Sequence, residues 1–326
     1  MSDAFWSGRS VLVTGASGLV GGWTVRALLA RGARPVCVSR HGFDGSPFAD
    51  DLSRTTYLHA DVRDQARMRE VLADRGVSTV VHLAAQAIVP LANRDPVGTL
   101  EANVAGTWSV LEACRTVGSV EQIVIASSDR AYGEQVVLPC TEESPILARH
   151  PYEISKACAD LVGRGFAATY DLGVVISRTP NLYGGGDLNW SRIVPSTIRS
   201  VLEDERPLLR SNGKSLRDYF YVEDAAAALL LLAESVAADP DLRGEVFNFS
   251  NEMPVSVLQV VEEILESMGS SLEVDIRDEA THEIRDQALA ATKARQRLGW
   301  NPLFERREGL ERTIDWYRSA WARGER

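Results

Sequence analysis

Tyr152 and Lys156 stand four residues apart in the segment HPYEISKACADLVGRGF, which reads as a helix. Positions i and i+4 share one helix face, so the phenol and the ammonium can point into one site. Tyrosine titrates near pH ~10, too high for a base at neutrality. A cation held beside it favours the phenolate and lowers that value. The spacing therefore suits a tyrosine that takes a proton from a substrate hydroxyl. Lysine is scarce: Lys156, Lys214 and Lys293 are the only ones among 35 basic residues. With 8 tyrosines in 326 residues, chance supplies a Tyr-x-x-x-Lys roughly 0.07 times. The plainer reading of the pair is an ordinary tyrosine on an exposed helix face.

A second group lies near the N-terminus. Thr14-Gly15-Ala16-Ser17-Gly18-Leu19-Val20-Gly21 follows an apolar strand pattern and opens a helical one. Glycines there permit a tight turn, close backbone approach to a pyrophosphate and close helix–strand packing. The helix N-terminus then offers free N–H groups and partial positive charge to the phosphates. The spacing is G-x-x-G-x-x-G rather than the G-x-G-x-x-G fingerprint, and its place between strand and helix carries the weight. Gly15, Ser17, Gly18, Leu19 and Val20 are the expected contacts of a dinucleotide. In NAD sites an acid about 20 positions further on holds the ribose 2′-hydroxyl. Here the second strand ends Val38-Ser39-Arg40-His41. Arg40 could accept a 2′-phosphate, which leaves NADP open beside NAD, or it could stack on adenine or stay solvated. Asp61, in HADVRD, is placed to meet the adenine edge or to cap the next helix.

The elements that must position these groups alternate. Ser10–Thr14, Pro35–Ser39, Thr56–His59, Thr79–Leu83, Gln122–Ser127 and Val174–Arg178 read as short, β-branched, nearly continuous apolar strands, as expected when both faces are covered. Helical periodicity fills the gaps at about Leu19–Arg31, Asp64–Asp74, Asp95–Thr116 and Tyr152–Tyr170. This predicts an α/β, Rossmann-type, doubly wound parallel sheet over residues 1–180. After a glycine-rich loop, Pro180–Asn189, the pattern changes. Helices are expected at about Ser191–Leu202, Val222–Val236, Val255–Met268 and Gly309–Trp321, with a strand at Glu245–Phe249. Residues 181–326 are read as a smaller α/β substrate-binding lobe whose elements interleave with the first domain.

A hydrophobic content of 45% and a charged content of 25% are those of an ordinary soluble domain. The net charge of −10 argues against nucleic acid as the partner. The longest apolar run, Ala225 to Ala233, is too short for a bilayer, which takes ~20 residues. Cys37, Cys114, Cys140 and Cys158 form no C-x-x-C pair and no zinc spacing, so no metal site is expected. The thiols and the absence of a leader pattern point to the cytoplasm.

Three motifs stand in order: TGASGLVGG, the segment Ser127-Ser128-Asp129-Arg130-Ala131-Tyr132-Gly133, and Tyr152-x-x-x-Lys156. Together they resemble the extended short-chain dehydrogenase/reductase family, whose members act on nucleotide sugars. The likeness continues through Val81-His82-Leu83-Ala84-Ala85, Asn103-Val104-Ala105-Gly106-Thr107, Pro180-Asn181-Leu182-Tyr183-Gly184, Arg217-Asp218-Tyr219-Phe220-Tyr221-Val222-Glu223-Asp224 and Leu298-Gly299-Trp300, about residues 8 to 321. GGGDLNWSRIVP looks most like the CDP-glucose 4,6-dehydratase branch. The resemblance implies that Tyr152 removes the sugar 4-hydroxyl proton, that Lys156 bonds the nicotinamide ribose and lowers the tyrosine, and that Ser128 shares a hydrogen bond with the 4-oxygen. It implies cofactor contacts at Val62, Leu83, Ala84, Ala85 and Asn103. Nucleotide-sugar contacts are implied at Gln86, Asn181, Asn189, Arg192, Arg210 and Arg217. It also implies a homodimer, two helices from each subunit packing as a four-helix bundle.

In such enzymes C4 is oxidised to a ketone, which acidifies the C5 proton. Dehydratases then expel the 6-hydroxyl as water with help from an acid, whereas 4-epimerases reduce C4 again from the other face. Asp129 sits at the acid position. Arg130 departs from the Asp-Glu and Asp-Lys versions of the pattern; a guanidinium is a poor base, yet it can stabilise an enolate or pair with Asp129. The reading favoured is 4,6-dehydratase, with 4-epimerase as the alternative and a non-catalytic NAD(P)-binding sensor as the remote one.

Overall fold

The computed structural model describes residues 3–279 and 284–324. Seven strands form the central sheet: β1 (Ser10–Thr14), β2 (Arg34–Ser39), β3 (Thr56–His59), β4 (Thr79–His82), β5 (Gln122–Ala126), β6 (Val174–Arg178) and β7 (Val246–Asn248). Their order is β7-β6-β5-β4-β1-β2-β3, and every neighbouring pair is parallel. Every residue of β1, β4 and β6 is buried, because helices cover both faces. This is the Rossmann-type architecture expected. The strand order turns back at β1, and ligands on open α/β sheets bind beyond the strand ends at such a switch point.

The expected helix Asp95–Thr116 is continuous but irregular. Pro96–Leu100 and Gly106–Val117 are joined by a π-helical turn at Glu101–Ala105. The expected helix at Val255 starts two residues later, at Val257, with Ser256 as a capping residue bonded reciprocally to Gln259.

Beyond residue 180 the chain serves two bodies. Helix Val222–Ala238 is apolar almost all round, as suits a buried helix, and packs on helix Leu19–Ala30 and on β5 and β6. β7 then extends the central sheet. Helices Ile193–Leu202, Val257–Met268 and Arg306–Ala322 form a separate cluster around Ile198, Val260, Ile264, Leu310 and Ile314.

One buried ion pair fixes the helix that carries Tyr152 and Lys156, Pro151–Tyr170. Asp160 on that helix accepts from Arg178 Nε at the end of β6, at 2.7 Å, with the two side chains 1% and 2% exposed. The guanidinium also lies over the Tyr132 ring, 4.6 Å from its centroid. Removing one partner of such a pair strands the other charge in the interior, so this contact sets the helix against the sheet.

Candidate active site

The strand ends and the second helix cluster enclose a cleft of about 1250 Å3. A pocket for one small molecule is ~300–1,000 Å3, so there is room for two ligands. One half of the cleft is the glycine turn. Gly15 has φ +69°, and a Cβ there would lie 2.9 Å from the Ala84 nitrogen. A Cβ on Gly21 would lie 2.1 Å from the Gly15 carbonyl oxygen. Gly18 caps the helix Leu19–Ala30 without a side-chain hydrogen bond. The first-turn N–H groups are therefore left to a ligand, and an anion suits them. The residues fit a dinucleotide pyrophosphate. Gly21→Ala is expected to push the helix off the turn and lower affinity for NAD by roughly ten- to a hundredfold. Calorimetric titration checks this, and unchanged affinity would remove the cradle assignment.

The opposite wall of the turn is held by a chain of buried side chains. Thr14 Oγ1 accepts from the amides of Leu83 and Ala84, each at 3.1 Å. Its own proton then goes to Nδ1 of His82, 2.9 Å away. That leaves the ring N–H on Nε2, which donates to Thr107 Oγ1 at 3.2 Å, and Thr107 donates to the Asn103 carbonyl at 2.6 Å. Burial, and secondarily the Lys156 ammonium, push the His82 pKa down to about 3. In an unfolded chain histidine takes its proton near pH ~6.5. The stability that comes from holding His82 neutral is thus complete above that pH and lost as pH falls toward 3. His82→Gln is expected to show a smaller drop in urea midpoint than the parent between about pH 7.5 and pH 4.5. An equal drop would clear His82 as the source.

The catalytic cluster lies beyond β5. Ser128, Asp129 and Arg130 follow the strand at the start of a short 3-10 turn, Asp129–Tyr132, and Tyr152 and Lys156 face them from the first two turns of helix Pro151–Tyr170. The helix start is fixed by Pro151 at its first position and by Glu153, whose Oε2 accepts from the amides of Arg149 and His150 at 3.0 and 3.2 Å. Ser128 Oγ donates to Asp129 Oδ1 at 3.0 Å and accepts from the Arg130 amide at 3.2 Å. Asp129 is 5% exposed. Burial holds its carboxyl above the usual carboxylate range, against the opposing pull of Arg130, the Ser128 hydroxyl and Arg217. The side chains of Asp129 and Arg130 form no ion pair, and the Arg130 guanidinium makes no hydrogen bond to any described residue.

The Tyr152–Lys156 relation differs from the sequence expectation. Lys156 Nζ donates to the Ala126 carbonyl at 2.9 Å, and burial lowers its pKa to about 8. Burial raises the Tyr152 phenol; the strongest opposing influence is the Arg192 cation, followed further down by a hydrogen bond with Ser128 and the Arg130 charge. Arg192 is itself placed by Asp187, which is 4% exposed at its side chain and accepts from Nη1 at 3.0 Å. The Asp187 loop is pinned in turn: Trp23 Nε1 donates to the Gly185 carbonyl at 2.8 Å and the Tyr317 hydroxyl to the Asp187 carbonyl at 2.6 Å.

The cleft brings together Gly15, Ser17, Gly18, Leu19, Val20, Arg40, Val62, Leu83, Ala84 and Ala85 on the dinucleotide side. On the other side stand Asn181, Asn189, Arg192, Arg210 and Arg217. Arg217 donates to the carbonyls of Leu216, Arg285 and Ile284 at 2.9, 2.8 and 2.6 Å, so much of its fork braces the cleft wall. Three expected contacts do not line the cleft. Asp61 is held by Arg63 at 2.8 Å. Asn103 uses its amide on the Gln86 amide and carbonyl and on Ser155. Gln86 folds onto Ile88. Asp187 and Trp23 were missed; the local signals were the GGGD run and an indole directly after the glycine pair Gly21-Gly22.

The family described as the NAD dependent epimerase/dehydratase family matches residues 11–249. A CDP-glucose 4,6-dehydratase from Salmonella typhimurium is 30% identical over 98% of this chain and 93% of its own length. Among solved structures, the UDP-glucose 4-epimerase of Thermotoga maritima aligns with a TM-score of 0.87 at 27% identity, covering 96% of this chain and 99% of that one. The dTDP-glucose 4,6-dehydratase of Streptomyces venezuelae, solved with NAD bound, aligns with a TM-score of 0.84 at 27% identity, covering 97% and 100%. With a glycine turn shaped for a pyrophosphate and a tyrosine and a lysine on the facing wall, the chain belongs to the NAD-dependent epimerase/dehydratase family of extended short-chain dehydrogenase/reductase enzymes.

Proposed function

We propose that the protein is a nucleotide-sugar 4,6-dehydratase. The observation that carries this reading is Asp129, a buried carboxyl on the cleft wall, bonded to Ser128 on the same side as Tyr152 and with its pKa raised above the usual carboxylate range by burial. A leaving 6-hydroxyl needs such an acid. Bound NAD supplies the oxidising equivalent and, later in the same turnover, the reducing one. Tyr152 takes the 4-hydroxyl proton, with Ser128 holding the 4-oxygen and Lys156 placed to meet the nicotinamide ribose. Once C4 is a ketone, the C5 proton becomes acidic and passes to a water in the cleft while Asp129 protonates the 6-oxygen, the C6–O bond breaks and water leaves; a proton returns to C5 when C6 is reduced. The free guanidinium of Arg130 stabilises negative charge developing on the C4–C5 unit. Arg192, Arg210 and Arg217, with Asn181 and Asn189, form the nucleotide-diphosphate side, where planar guanidinium forks suit phosphate.

A second reading, 4-epimerase, is favoured by Arg130 itself, which leaves no proton acceptor at that position. Weighing the product made from CDP-, dTDP-, UDP- and GDP-glucose separates the two. Loss of one water supports the dehydratase; unchanged mass with inverted C4 supports the epimerase and sinks the first reading.

Residues 1–180 would carry cofactor and catalysis and residues 181–326 most of the sugar-nucleotide contacts, in a cytoplasmic enzyme with four free thiols. The enzyme would act as a homodimer, pairing helices 96–117 and 151–170 with those of a second copy. Val97, Trp108 and Leu161 support this, being 63%, 48% and 54% exposed on helices that pack on one another; large exposed apolar side chains suit an association surface. Leu161→Glu is expected to yield monomers in sedimentation velocity, and a monomeric parent protein would end the idea.

A further inference from the structure

Behind the catalytic wall lies a second, much smaller space of about 10 Å3, bounded by Gly133, Leu138, Cys140 and the segment Asp286–Leu289. Asp129 is the one residue that lines both this cavity and the main cleft, so its carboxyl is the partition between them. The far wall is firmly built. The Gln287 amide donates to the Leu216 carbonyl at 3.0 Å, and Cys140 exchanges hydrogen bonds with Ala288 and Ala290, each at 2.8 Å. Yet Gln287, 4% exposed, has neither its Oε1 nor its Nε2 bonded to any described residue, and Asp129 Oδ2 is buried and unbonded in the same way. Leaving even one such polar atom without a partner is destabilising. Three such atoms belong to two residues that line one space, large enough for one water molecule.

We propose that this cavity is a binding site for one water molecule, held between Asp129 Oδ2 and the side-chain amide of Gln287, and that Gln287 is thereby a positioning residue for the Asp129 carboxyl. Ser128 fixes Oδ1 on the cleft side; the water fixes Oδ2 on the other. A carboxyl has a broad, soft final torsion, and two partners on opposite oxygens leave it one orientation, the one that faces the sugar. Other groups acting on Asp129 are the Arg130 and Arg217 cations, the Asp218 carboxyl, the Tyr152 phenol and the Cys140 thiol. None of them contributes an atom bonded to Oδ2. The catalytic consequence rests on the dehydratase reading; the water site does not.

The test is a crystal structure of the NAD-loaded protein, with kinetics and infrared titration of the parent and of Gln287→Leu. The expected structure has an ordered water within hydrogen-bond distance of Asp129 Oδ2 and Gln287, absent from the variant. In Gln287→Leu, kcat is expected to fall roughly tenfold with KM unchanged. The protonated-carboxyl band, identified by its loss in Asp129→Asn, is expected to persist to higher pH, because the ionised form has lost its water. Gln287→Asn, which keeps the amide, is expected to recover part of the rate. A dry cavity in the parent overturns the proposal, as does a leucine variant with parental kcat and an unmoved band. A parent product of unchanged mass overturns the dehydratase reading alone.

Discussion

Tyr152→Phe is expected to lower turnover by about 10²–10⁴-fold while leaving the fold and the affinity for NAD in place. The substitution removes one oxygen from a side chain whose ring stays packed at the head of helix Pro151–Tyr170. What is lost is the proton acceptor, and neither neighbour replaces it. The Ser128 proton is already donated to Asp129. The Lys156 ammonium, lowered to about 8, still carries its proton at neutrality and cannot accept another. The measurement is the initial rate of product formation on the substrate found by mass analysis, alongside an NAD titration. A variant that turns over at the parental rate would show that another group takes the 4-hydroxyl proton.

Asp129→Asn separates the chemistry after C4 oxidation from the chemistry before it. Asparagine keeps the size and accepts the Ser128 hydrogen bond, yet it has no proton to give a leaving hydroxyl. Loss of water is expected to slow by about 10²–10⁴-fold with substrate affinity unchanged. The same variant is expected to be more stable than the parent at alkaline pH. Because the folded carboxyl is raised above its unfolded value, its favourable contribution is complete at acid pH and is lost as pH rises through the folded value. An amide does not titrate and escapes that loss. Higher melting temperature with lower activity is what a group retained for function produces. Full activity in Asp129→Asn, with a product of unchanged mass, would instead identify a 4-epimerase.

Much of this enzyme is legible from residue pattern because the governing interactions are local. Short β-branched runs separated by helical periods lead directly to the parallel sheet, and the glycine spacing to the phosphate turn. Tyr152 and Lys156 share a helix face, which periodicity resolves. What escaped depends on residues far apart in the chain. Arg192, forty positions from Tyr152, acts on it more strongly than the lysine one turn away, because the Asp187 loop carries it across the cleft. Asn103 bonds Gln86 and Ser155, 17 and 52 positions away, which no local pattern displays. Gln287 comes to the same small cavity as Asp129 only through tertiary packing, and no local pattern marks an amide left without partners.

The π-helical turn at Glu101–Ala105 carries a consequence for how this chain can change length. A five-residue turn holds one residue more than the surrounding helix geometry requires. Within it the Asn103 side chain bonds the Gln86 amide and carbonyl, and the Asn103 carbonyl accepts from the Thr107 hydroxyl. Deleting one residue between 101 and 105 would let the helix become regular with its two halves close to their present phase, because five π-helical residues turn about as far as four α-helical ones. The side chains of the first half and those that meet Gln65–Asp74 in the second would both keep their neighbours. A single-residue difference in length among relatives can therefore fall at this turn as well as in the loops, so a one-residue gap placed there in an alignment marks loss of the bulge rather than misalignment.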